Sequence, residues 1–269
     1  MLTNPGSDRV RAVRALQRRP VRQRTGRFGV EGPQGVREAV RYAPQRVRDV
    51  YVTAEAAQRY AADILGPAHD AGLRVHEVST EVLAAMSDAD APQGVLAVVD
   101  AADTTLAEVL ATGPRLLVLL TNVRDPGNAG TVIRGADAAG ADAVLVSAAS
   151  VDVLAPKVVR STAGSLFHLP VVAGLDTDAT LDALAGAGIR RYAADGSGTT
   201  LLPEADLAAA HCWVMGNEAW GLPQDTLDRC DEVVRVPIHG RAESLNLAMA
   251  ATVCLYASAG VQRSARGAG

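Results

Sequence analysis

The sequence predicts an α/β protein of two domains, and three observations carry that reading. Short apolar runs recur between stretches of helical periodicity, the pattern of sheets whose strands alternate with helices. Several runs after residue 115, among them RLLVLL, AVLVS and CWVMG, are apolar at nearly every position, which suits a parallel sheet covered on both faces. The alternation pauses once, at ADTTLAEVLATGP, and 269 residues is long for one domain and comfortable for two. The expected layout is a first α/β domain over 1–100, a linker over 101–114 and a second domain over 115–269.

Taken in order, Ser7 or Asp8 caps a helix running to about Arg18, with Val10, Val13 and Leu16 on one face. RRPVRQRTGR reads as a basic loop. RFGVEG is a strand, and Pro33 opens a helix through Tyr42 in the favoured first-turn position. VRDVYVT is a strand; AEAAQRYAADILGPAHDAG is helical and broken near Gly66-Pro67; LRVHEV, STEVLAAM and GVLAVVD give strand, helix and strand. Beyond the linker, RLLVLL, AVLVS, IRRYAA, CWVMG and EVVRVPI are strands. Helices are expected over 128–139, 155–163, 178–187, 223–229 and 244–260.

Composition narrows the function. No apolar run approaches the roughly 18 residues that span a bilayer, and the arginine-rich start has no apolar core of the secretory kind. Cys212, Cys230 and Cys254 are odd in number and widely spaced, so neither a disulfide framework nor a metal site is expected; a reducing, cytoplasmic setting is. The net charge of −4 is unevenly spread: residues 1–48 hold twelve arginines against three acids, a net +9, which leaves −13 on the remainder. A basic head on an acidic chain points to a polyanion partner. Arg18, Arg19, Arg22, Arg24 and Arg27 are its candidate contacts.

Three glycine-punctuated turns follow predicted strands: NVRDPGNAGTVIR, GNEAWGLP and PIHGRAESLN. None is GxGxxG or a Walker loop, which disfavours a generic nucleotide-binding enzyme. Ligands collect at the carboxyl ends of parallel strands, and glycines let backbone N–H and C=O groups approach a ligand closely. Each turn also holds polar side chains: Asn128 and Arg134; Glu218; Ser244 and Asn246. Each has a plain structural role open to it. Asn128 and Ser244 suit helix caps, and Arg134, Glu218 and Asn246 suit solvated faces. Trp220 suits packing more than a pocket wall, and His239 a turn more than an acid or base.

Together the three turns resemble the three motifs of the SpoU/TrmH branch of the SPOUT RNA methyltransferases. NVRDPGNAGTVIRGADAAGAD, VMGNEAWGLP and VRVPIHGRAESLNLAMAATVCLYA carry the likeness, with PKVVRSTAGSLFHLPV between them, over about residues 115–258. RFGVEGPQGVREAV and APQGVLAVV are similar, more weakly, to a substrate-binding domain akin to small ribosomal RNA-binding proteins. The resemblance implies a deep trefoil knot, S-adenosylmethionine as cofactor, a homodimer formed through the C-terminal domain, and methylation of an RNA ribose 2′-hydroxyl. It assigns catalysis to Asn128, Arg134, Glu218, Ser244 and Asn246. Cofactor contacts fall on Gly216, Asn217, Val236, Ile238 and Leu245. The extra N-terminal domain favours ribosomal over transfer RNA. A tRNA enzyme of the same chemistry and a non-catalytic RNA-binding factor stand as alternatives, the second opposed by the intact set of five polar residues.

Overall fold

In the computed structural model, which describes residues 1–267, the chain forms two compact units. The first comprises Met1–Asp103 together with Asp152–His168, the second Thr104–Val151 together with Leu169–Gly269. The first opens with α1 (Asp8–Ala15), α2 (Arg19–Thr25), β1 (Arg27–Glu31) and α3 (Pro33–Tyr42). It continues through β2 (Val47–Val52), α4 (Ala54–Arg59), α5 (Gly66–Asp70), β3 (Val75–Glu77), α6 (Thr80–Met86) and β4 (Val95–Asp100). The second begins with α7 (Leu106–Ala111), β5 (Leu116–Leu120), α8 (Pro126–Ala139) and β6 (Ala143–Ser147). The chain then returns to the first unit for α9 (Pro156–Ser161). It completes the second with β7 (Val171–Leu175), α10 (Thr177–Gly186), β8 (Arg190–Ala194), β9 (Thr200–Leu201), β10 (His211–Met215), α11 (Gln224–Asp228), β11 (Glu232–Arg235) and α12 (Leu247–Gly267).

The first unit has a four-stranded sheet in the order β1-β4-β2-β3, antiparallel except for the β2–β3 pair. Val10, Val13 and Leu16 pack with Tyr51, Val82, Met86 and Leu96 to close one face. Ser7 is the cap of α1, its side chain accepting from the Val10 N–H. The basic stretch expected as a loop folds into α2. Pro20 sits in its first turn, where a missing N–H costs nothing, and Gly26 ends it at φ 62°.

Residues 152–168 depart from the expectation of two contiguous domains. Phe167 stacks on Phe28 with ring centroids 6.4 Å apart. Arg160 donates to Asp88 at 2.9 Å and to Glu31 at 3.4 Å. Asp152 accepts from Arg22. These pairings place the segment in the first unit although the chain on either side of it builds the second.

The second unit is a seven-stranded sheet in the order β7-β6-β5-β10-β8-β11-β9, parallel throughout. Every residue of β5, β6 and β10 is buried, as continuous apolar runs require. Leu117, Leu119, Leu145, Leu181, Leu184 and Val214 are central to the core on one face. Two strands escaped the sequence reading. In β7, VVAGL is half exposed and interrupted by Gly174 at φ 79°, and β9 has two residues. Both lie at sheet edges, where burial imposes little pattern.

Candidate functional site

β5, β10 and β11 end at the three glycine-punctuated turns, and local chemistry fixes each. Thr121 donates through both N–H and Oγ1 to the Met215 carbonyl, at 2.9 and 3.0 Å, tying the ends of β5 and β10. Asn122 then adopts φ 55° and the chain swings into α8. The cap of α8 is Asp125, whose Oδ1 accepts from the Asn128 N–H at 2.7 Å; Asn128 lies inside the first turn and is not the cap. After β10, Asn217 and Gly221 exchange both backbone hydrogen bonds at 2.9 Å. Asn217 also donates its amide to the Asn122 carbonyl at 2.7 Å and accepts from the Ala219 N–H at 2.8 Å. A Cβ at Gly216 would stand 2.4 Å from the Gly221 backbone, so nothing larger than glycine closes this turn.

One hydrogen-bonded chain joins the three turns. The Glu218 carboxylate accepts from the Asp125 N–H at 3.1 Å, the Arg124 N–H at 3.3 Å and the Asn128 amide at 3.3 Å. Asn128 Oδ1 in turn accepts from the Asn246 amide at 3.0 Å. Asn246 Oδ1 takes the N–H groups of Ala248 and Met249, so Asn246, and not Ser244, caps the last helix. Burial pushes the Glu218 carboxyl up, but the N–H donors of its own backbone, of Arg124 and of Asp125, with the Asn128 amide, outweigh it. The net shift is downward and Glu218 stays ionised.

Beside this chain lies a cleft of about 750 Å³ at the carboxyl ends of β8, β10 and β11, within the usual range for small-molecule sites. Gly216, Asn217, Glu218, Val236, Ile238, Ser244 and Leu245 all line it. Residues 238–245 form no backbone hydrogen bond among the described residues, so their donors and acceptors are free for a ligand. Met215, Val234 and Leu247 add apolar wall. Asp195 was missed in the sequence. Its Oδ1 is held by the N–H and hydroxyl of Ser197, at 2.9 and 2.8 Å, while Oδ2 lies over Gly221. The signal was present: ADGSG is a glycine turn after an expected strand, like the other three.

Arg134 is the exception among the expected five. It is exposed on α8, makes no hydrogen bond or ion pair among the described residues, and is not part of the cleft wall. In the basic head, Arg18, Arg19 and Arg24 are exposed and unpaired among the described residues, and Arg27 pairs with Asp100 at 3.3 Å. Arg22 is a correction. It is 5% exposed, and its guanidinium donates to the carbonyls of Leu16 and Gln17 at 2.8 and 2.7 Å and to Asp152 at 2.6 Å. Its donors are committed inside the fold, so it is not available to an outside phosphate.

Comparison with known proteins agrees with this arrangement. Residues 115–256 match the SpoU rRNA methylase family, and residues 7–97 match the MRM3-like substrate binding domain. The 23S rRNA (guanosine(2553)-2′-O)-methyltransferase RlmP of Bacillus subtilis is 32% identical over 93% of this chain and 95% of its own. The 23S rRNA (guanosine-2′-O-)-methyltransferase RlmB of Bordetella pertussis is 33% identical over 81% of this chain and 91% of its own. The AdoMet-bound rRNA methyltransferase from Sinorhizobium meliloti superposes with a TM-score of 0.82 at 27% identity, covering 96% of each chain. With two such enzymes alike along most of their length, and a cleft-forming unit matched nearly end to end, the chain belongs to the SpoU rRNA methylase family.

Proposed function

We propose that this chain transfers the methyl group of S-adenosylmethionine to a ribose 2′-hydroxyl of ribosomal RNA. The observation that carries the reading is the hydrogen-bonded chain Glu218–Asn128–Asn246 beside a cleft of fitting size. The cleft suits the cofactor: apolar walls for an adenine ring, free backbone groups to read its edge, and the Asp195 carboxylate for hydroxyl or ammonium groups. Gly216, Asn217, Val236, Ile238 and Leu245 would hold it, mainly through main chain. When bound, the cofactor supplies an already activated methyl group, which leaves the protein to align the acceptor oxygen.

In that alignment Glu218 and Asn128 brace the first turn against the second. Asn246 and Ser244 orient the ribose. Arg134 holds the neighbouring phosphate and stabilises charge developing on the 2′-oxygen. A guanidinium remains protonated in proteins, so its part is electrostatic and not that of a base. Its absence from the cleft wall is met by a second copy of the protein. α8 packs on α12, where a Cβ at Gly135 would lie 2.9 Å from Thr252 Oγ1, and α12 exposes Met249, Val253 and Tyr256. A homodimer formed over this face brings Arg134 to the site.

Further parts of the reading are a deep trefoil knot in the second unit and a first unit akin to small ribosomal RNA-binding proteins. The knot is supported by a strand order that sets β10 between β5 and β8. RNA contact by Arg18, Arg19, Arg24 and Arg27 is supported by their exposure. Ribosomal RNA is favoured because the likeness to RlmP runs through both units. A cytoplasmic setting suits three free cysteines. The test is incubation with labelled methyl donor and separately purified rRNA and tRNA, followed by mapping of the modified nucleotide. Label at a ribose of rRNA is expected; label confined to tRNA, or to a base, overturns the proposal.

A further inference from the structure

Trp220 has the wrong surroundings for a packing residue. It is 62% exposed, while the chain's other tryptophan, Trp213, is fully buried with its indole N–H on Ser258 Oγ at 2.9 Å. The turn that carries Trp220 is nevertheless rigid. The paired backbone bonds between Asn217 and Gly221 clamp its base, the Asn217 amide ties it to Asn122, and Glu218 ties it to the start of α8. Ala219 and Gly221, on either side of Trp220, line the cleft, but Trp220 does not. The indole therefore stands on the outer side of the turn. It is two residues from the carboxylate that organises the polar chain and is not part of the wall around the cleft.

A large apolar ring held in water on a braced turn costs free energy unless a ligand covers it. A second observation indicates which ligand. Arg124, whose N–H rests on the Glu218 carboxylate, is exposed, and its guanidinium makes no hydrogen bond or ion pair among the described residues. An exposed aromatic ring and a free guanidinium on two turns joined through Glu218 form the kind of set that single-stranded nucleic acid uses: the ring stacks on a base and the cation meets a phosphate. We propose that Trp220 stacks on an unpaired base of the RNA substrate next to the target ribose, with Arg124 on the adjoining phosphate. The inference rests on the RNA-methylating reading above and adds to it where the flanking nucleotide is gripped. Sequence tolerance follows, because every base offers a π-face.

The test uses tryptophan fluorescence with acrylamide quenching, since Trp213 is shielded and Trp220 is not, and Trp220→Phe supplies the blank. The probes are oligoadenylate, transcribed 23S rRNA and S-adenosylmethionine, each alone. Expected are quenching and shielding of the Trp220 emission by either RNA and no change with the cofactor. Trp220→Ala should weaken RNA binding about tenfold, the size of one lost base–aromatic stack, and Trp220→Phe should restore most of it. The cofactor dissociation constant should not move in either variant. Unchanged emission with both RNAs, together with wild-type RNA affinity in Trp220→Ala, overturns the proposal. So does a change produced by the cofactor alone, or one that follows protein concentration without RNA and thereby assigns the ring to a second copy. Methyl incorporation is measured in parallel: a wild-type protein that is quenched by RNA yet transfers no methyl group sinks the methylation reading and leaves the stack standing.

Discussion

Arg134 and Arg22 are both helical arginines, and their environments assign them opposite work. Arg134 has no partner among the described residues and is free to act on a ligand. Arg134→Ala should abolish methyl transfer and leave the cofactor dissociation constant within about twofold; near wild-type turnover in single-round assays would remove it from the mechanism. Arg22 spends its donors on Asp152 and two carbonyls. Removing one partner of a buried pair typically costs about 3–5 kcal/mol, and since Asp152 keeps 18% side-chain exposure the lower end is expected for Arg22→Ala. Denaturant unfolding measures it, and a loss below about 1 kcal/mol would contradict the burial. The contrast was not legible in the sequence, because Asp152 lies 130 positions from Arg22. Local pattern shows a basic stretch but not which member folds inward. Asp125 and Asn246 as caps were hidden for a different reason: Asn128 and Ser244 have the same capping chemistry a few residues away, and boundaries are the least certain part of such a reading.

At the level of elements, the glycine turns were readable because turn chemistry is local, and β5, β6 and β10 because burial on both faces leaves no polar alternation. The anchoring of α12 was not. His211 on β10 is fully buried; its Nδ1–H donates to the Ala209 carbonyl at 2.8 Å, and Nε2 accepts from the Ser258 hydroxyl of α12 at 2.7 Å. Burial lowers the His211 pKa below its ordinary value. The unfolded chain thus binds the proton more readily, so the stability this group supports is complete above about pH 6.5 and falls as pH drops toward the folded value. Thermal midpoints should decrease from about pH 7 to pH 5, and less steeply in His211→Gln; identical slopes would exclude the coupling. The outer face of α12 gives a second expectation. If the proposed homodimer forms over this face, Val253→Asp or Tyr256→Asp should give monomer in sedimentation and lower methyl transfer with it. A variant that stays dimeric would move the interface elsewhere.

Across the whole molecule, the separation of a +9 head from an acidic remainder would serve the proposed function as an electrostatic guide for RNA. With Arg22 withdrawn into the fold, Arg18, Arg19 and Arg24 are among the exposed, unpaired cations of the described residues, and reversing these three to Glu should weaken RNA binding and flatten its dependence on salt. The same salt slope in the triple variant would place the phosphate contacts on another surface. Charge distribution of this kind is visible in sequence, as is the identity of the turns that meet. Which segments belong to which unit is not, since that depends on long-range pairings such as Phe28 with Phe167.

The excursion of residues 152–168 has a consequence for heredity. A gene cut at the apparent linker would yield a first half lacking Phe167, Arg160 and Asp152, with the Arg22 charge entombed and unmatched. The two halves are therefore not interchangeable cassettes: any recombination that swaps one first unit for another must carry a fragment from the middle of its neighbour along with it.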